Sequence, residues 1–122
     1  MIATALEAAL AFNLVCSGTA RTGPLGLVMP EAGGDPIAVT YRVDLDAGLW
    51  CSDACETTER LDSVFEGVMV LRDRHYPAGS STIMVSAATG RFSDTRVEWS
   101  RATLVSGTCR VAPFTGFLDR TA

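Results

Sequence analysis

From Ile37 onward the chain alternates without a break: Ile37, Val39, Tyr41, Val43 and Leu45 are apolar or aromatic, and Ala38, Thr40, Arg42, Asp44 and Asp46 fall between them. Successive side chains point to opposite faces only in an extended strand, so the pattern predicts an antiparallel strand with one face on the core and the other in solvent. Asp46-Ala47-Gly48 supplies a hairpin turn with Gly where positive φ is wanted, and Leu49-Trp50-Cys51 begins the return.

The rest of the chain reads in the same way. Leu14 to Ser17 predicts a short strand, and the Gly and Pro residues from Gly18 to Pro36 predict a loop, with Leu25 to Met29 as a short strand within it. Ser52 to Arg60, with Asp53, Glu56 and Glu59, reads as a solvent-facing connection or a single helical turn. Asp62 to Leu71 reads as one long strand, with Phe65, Gly67, Met69 and Leu71 on one face and Val64, Val68 and Val70 on the other, ended by Arg72-Asp73-Arg74. Thr82 to Ala87 and Arg91 to Trp99 form a hairpin around Ala88-Thr89-Gly90, and Leu104 to Val111 closes the sheet. The expectation is an all-β domain over residues 12–122: one small antiparallel sheet, meander or barrel, of about six or seven strands. A length of 122 residues suits a single core.

Two readings of Met1 to Ala11 stand side by side. The small apolar run ending in Ala9-Leu10-Ala11 has the form of the tail of a signal peptide, and its strong helix formers equally suit a short amino-terminal helix. No apolar stretch is long enough for a membrane-spanning helix. The residues before Cys16, Asn13-Leu14-Val15, lack the small residue expected ahead of a lipidated cysteine. Four cysteines, an even number, favour an oxidising compartment, periplasmic or secreted, over a cytoplasm with reduced thiols. Cys51 with Cys55 and Cys16 with Cys109 is the favoured pairing, because the first pair is close in sequence and the second would join the first and last strands.

The stretch Phe12-Asn13-Leu14-Val15-Cys16-Ser17-Gly18-Thr19, the segment from Tyr41 to Cys51 and the ending Gly107-Thr108-Cys109-Arg110-Val111-Ala112-Pro113-Phe114 resemble a group of small exported bacterial proteins of unknown function. The resemblance also covers the hairpin Thr89-Gly90-Arg91. It rests on cysteine, turn and strand residues, so it implies a shared fold and export and assigns no catalytic or binding residue.

Charge narrows the function further. Ten basic against fourteen acidic residues leave a net charge of −4, with no basic stripe for nucleic acid. Every basic residue is Arg, which excludes P-loop phosphate binding and Schiff-base chemistry. Cys51-Ser52-Asp53-Ala54-Cys55 reads as a local disulfide before a metal or redox dithiol, whose ligand count and spacing it does not meet. Asp44, Asp46 and Asp53 lack an EF-hand's Gly and Glu, since Leu49 and Cys55 occupy those positions. His75 lies between Arg74 and Tyr76, and no Gly-x-Ser-x-Gly elbow accompanies it. No cofactor or metal is expected. Trp50, Phe114 and Phe117 are the candidate binding surface, for a protein or small ligand. The leading expectation is therefore a non-catalytic binding or structural domain of the bacterial envelope. The alternative is a hydrolase or metal-dependent enzyme built around His75.

Overall fold

The computed structural model describes residues 10–24, 34–53, 55 and 57–117. They form one antiparallel sheet of nine strands curled into a half-barrel, with no helix among the described residues. In chain order the strands are β1 (Ala11–Pro24), β2 (Asp35–Asp44), β3 (Leu49–Ser52), β4 (Glu59–Arg60), β5 (Ser63–Phe65), β6 (Val68–Tyr76), β7 (Gly79–Ser86), β8 (Arg91–Glu98) and β9 (Arg101–Pro113). Their order in the sheet is β4-β3-β2-β1-β9-β8-β7-β6-β5, an up-and-down meander in which the first and last strands pair at the centre. Within the expected leader, only Leu10 and Ala11 are described, and Ala11 opens β1; the short strand expected at Leu25 to Met29 lies outside the described residues.

The two extra strands come from local signals that pattern reading missed. Asp62 to Leu71 is a hairpin rather than one strand. Glu66 and Gly67 form its two-residue turn with φ of 51° and 81°, the left-handed pair that a type I′ turn needs. Glu is a poor marker for such a turn, which is why the segment reads as continuous. The expected connection from Ser52 to Arg60 contains β4, where Leu49 and Trp50 pair with Arg60 and Glu59.

The loop expected from Gly18 is instead strand as far as Pro24, paired with β9 from Phe12↔Pro113 to Pro24↔Arg101. Gly18 sits opposite Gly107, and a Cβ built on Gly18 would run into the Ser106 carbonyl and lie 2.8 Å from Gly107 Cα. These glycines allow close backbone approach between two long central strands; they do not break them.

The strand from Ile37 to Leu45 faces as its alternation requires. Tyr41 and Val43 are buried, and Ile37, Val39 and Leu45 pack half-buried against the core. That core fills the concave side with Phe12 and Leu14 from β1, Trp50 from β3, Met69 and Leu71 from β6, and Ile83, Val85 and Phe92 from β7 and β8. Each such side chain contributes roughly 1.5–3 kcal/mol by leaving water. Tyr41 ties three regions together, meeting Trp50 edge-on at 5.9 Å and Phe92 edge-on at 6.2 Å.

Cys16 lies directly opposite Cys109, with Cα atoms 3.9 Å apart and the sulfurs at disulfide-bonding distance. The Cys109 amide donates to Gly90 O, so its hydrogen-bonding side faces β8. Cys16 and Cys109 are thus a non-hydrogen-bonded pair on β1 and β9, the register at which facing side chains come closest. Cys51 and Cys55 form the second pair, with Cα atoms 5.1 Å apart, across a tight turn in which Asp53 and Cys55 have positive φ.

Burial, with the Asp94 charge as a lesser cause, pushes the Tyr41 phenol well above its ordinary 10.0. Below that ordinary value both folded and unfolded chains keep the proton; above it the unfolded chain loses a proton that the folded chain retains, so stability falls as pH rises. Denaturant midpoints measured between about pH 9 and 11 should decline in the native chain and decline less in Tyr41→Phe.

Candidate ligand-binding cleft

The two edges of the curled sheet face each other across a seam. At one end the chain itself crosses it: the Leu61 amide donates to Gly48 O beside β3, and the next amide, Asp62, donates to Val70 O on β6. Beside this crossing, Glu59 of β4 pairs with Arg72 and, at 3.2 Å, with Arg74, both on β6. Beyond it, Asp35 to Ala38 of β2 have no β3 partner, and Arg72 to Tyr76 have no β5 partner. The concave side is therefore open there.

Arg72 reaches that side through a β-bulge. Register along β6 shifts between Val70 and Arg72, so that Val70 faces Met84 while Arg72 faces Ile83. Strict alternation would bury Leu71 and expose Arg72; the bulge buries Leu71 and still turns Arg72 inward. The charged group that reads as the end of a strand is thus carried onto the wall of the cleft. Arg72 donates from Nε to Glu59 at 3.1 Å and from Nη1 to Ser81 Oγ at 3.3 Å, and its guanidinium lies 5.3 Å from the Trp50 ring centre. The hydrogen bonds it donates to Glu59 hold this guanidinium still more firmly protonated than usual.

Three hollows that share lining residues follow the concave face. One of about 320 Å³ lies at the seam between the Cys51–Cys55 turn, Glu59 and Arg72. A second of about 170 Å³ is walled by Tyr41, Trp50, Asp53, Arg72, Asp94 and Arg96. The third, about 630 Å³, continues past Asp94 and Arg96 to Thr22, Thr103 and the β8–β9 turn at Trp99. Trp50 borders the first two, is 1% exposed, and its indole Nε1 has no hydrogen-bond partner. A buried N–H without an acceptor is costly, and Trp50 carries it in the wall of two of these hollows.

The remaining candidate residues fall elsewhere. His75 and Asp73 sit two apart on β6, on the outward face opposite Arg72 and Arg74, and pair only with each other at 3.1 Å, the His side chain 75% exposed. His75 lines none of the three hollows. Phe114 and Phe117 are half-buried and meet edge-on at 5.3 Å. Their segment is pinned to the convex face, where Asn13 Nδ2 donates to Thr115 Oγ1 at 2.9 Å and Arg42 Nη1 donates to Gly116 O at 2.9 Å. The acidic residues near the first hairpin serve its backbone: Asp44 Oδ1 accepts the Ala47 amide and Asp53 Oδ1 accepts the Thr40 amide. Among the described residues no group of three or more His, Cys, Asp or Glu could hold a metal ion, and no helix is long and apolar enough to cross a membrane. Both cysteine pairs suit an oxidising environment.

Sequence reading missed Asp94 and Arg96. Their signal is an Asp-x-Arg-x-x-Trp run on a strand whose inward row begins with Phe92, but only the fold shows that the row faces a cleft. No family model, curated protein or solved structure matches this chain.

Proposed function

We propose that this chain is a non-catalytic binding domain of the bacterial envelope, exported to the periplasm or beyond, and that its ligand occupies the concave cleft. The observation that carries the reading is the hollow on the open concave face where Trp50 meets the polar groups of Arg72, Asp94 and Arg96. The resemblance to small exported bacterial proteins and the two cysteine pairs support the compartment. The arrangement at His75 gives the enzymatic alternative little to work with: a solvent-exposed imidazole with one carboxylate beside it, outside the three hollows.

Only Trp50 and Trp99 give indole signals, so amide and indole NMR spectra separate the cleft from the rest of the surface. In a panel of peptides, saccharides, acyl chains and nucleotides, one class should move the Trp50 or Trp99 indole and the Asp94 and Arg96 amides, and be recovered unchanged. His75→Ala should bind equally well. Conversion of a panel member, lost in His75→Ala, would establish the enzymatic alternative instead.

A further inference from the structure

Trp99 is 80% exposed, the most exposed large apolar residue described, and its φ of 56° is the left-handed conformation that bulky side chains disfavour. A turn of this kind would ordinarily carry Gly or Asn. The backbone is held in place, because the Trp99 amide donates to Ala78 O in the neighbouring β6–β7 turn at 2.7 Å. Both exposure and conformation therefore cost free energy that no internal packing of the indole repays. The ring lines the largest of the three hollows.

We propose that this end of the cleft is a subsite for a neutral oligosaccharide, with Trp99 as the stacking platform for a sugar ring. This deepens the binding reading above and rests on it. Sugar rings present an apolar C–H face and a circumference of hydroxyls, and the lining matches both. Ala20, Ile37 and Val105 give an apolar floor beside Trp99. Asp94 and Arg96 offer paired acceptors and donors, joined through Nε and Nη2 contacts of 3.3 Å each, and the Thr22 and Thr103 hydroxyls lie 3.1 Å apart. Such groups exchange hydrogen bonds with vicinal hydroxyls without needing a charged ligand. The charges of the lining cancel, two carboxylates (Asp94, Glu98) against two guanidiniums (Arg96, Arg101), which gives an ionic ligand no advantage. β8 and β9, which bring Asp94, Arg96 and Thr103 to the hollow, are paired on both sides, so they offer a ligand side chains and not the free backbone groups that an extended peptide pairs with.

The test uses the oxidised chain with maltohexaose, cellohexaose, xylohexaose and chitohexaose as neutral probes, an oligogalacturonate as the acidic one, and a mixed peptide library. At least one neutral oligosaccharide should shift the Trp99 indole signal and quench its fluorescence, with at least a tenfold loss of affinity in Trp99→Gly and partial retention in Trp99→Tyr. Because Gly fits the left-handed φ and keeps the backbone N–H that donates to Ala78 O, Trp99→Gly should melt no lower than the native chain, so a binding loss cannot be ascribed to unfolding. Asp94→Asn should weaken binding independently. Preference for the oligogalacturonate, or equal saccharide affinity in Trp99→Gly, would overturn the subsite. A response to peptides alone would overturn the saccharide class and leave the binding reading intact; silence from every class at both indoles, in this set and the broader panel, would overturn both.

Discussion

Removing the long cross-link, as Cys16→Ala with Cys109→Ala, should lower the stability of the oxidised protein by about 4–5 kcal/mol, a fall in melting temperature of roughly 15 °C or more. The size follows from the 93-residue separation that the bond spans, because the unfolded chain regains the freedom of a loop that long. Breaking the Cys51–Cys55 pair, separated by only four residues, should cost about 2 kcal/mol on the same grounds. In reductant the double variant and the native chain should melt almost together. Cross-linking matters here because the sheet is stitched rather than closed: β1 and β9 form its centre, and each carries one half of the meander. Equal midpoints in oxidising buffer would show that the strands need no such bond.

Gly18→Val should destabilise the fold by about 3 kcal/mol or more, because a buried side chain would have to displace backbone, which cannot rotate away. A Cβ there meets Ser106 and Gly107 main-chain atoms, and the reciprocal Gly107→Val meets those of Ser17 and Gly18. Gly48→Ala provides the contrast. Its φ of 72° is left-handed, but nothing lies within 4 Å of the added Cβ, so only the conformational cost of about 1 kcal/mol applies. Chemical denaturation of the three variants checks the ranking. A Gly18→Val protein as stable as Gly48→Ala would mean that the central strands can spread apart.

The contrast between these glycines also explains what sequence reading could and could not reach. Alternation from Ile37 to Leu45 identifies both a strand and its buried face, since the period of a strand is a local property. The pairing of Cys16 with Cys109 was legible for a related reason: few arrangements of four cysteines fit terminal strands. Gly18, by contrast, looks like a loop marker because its function depends on Gly107, a residue 89 positions later in the chain that lies opposite it in the sheet. Glu66 hides a turn for want of a characteristic turn residue, and the bulge at Arg72 reverses the face that alternation would assign. The cleft is further still from the sequence. Thr22, Asp94 and Thr103 come from three strands, and only register brings them to one surface.

The central claim, that this is a cross-linked β domain of an oxidising compartment, is tested most directly by mass spectrometry of protein isolated from its native host. Without reductant, the intact mass should be about 4 Da lower than after reduction, the loss of one hydrogen from each of four thiols on forming two disulfides. Digestion without reduction should release one peptide pair joined through Cys16 and Cys109 and one fragment closed by Cys51 and Cys55. Four freely alkylated cysteines, or a link between either half of one pair and a half of the other, would contradict it.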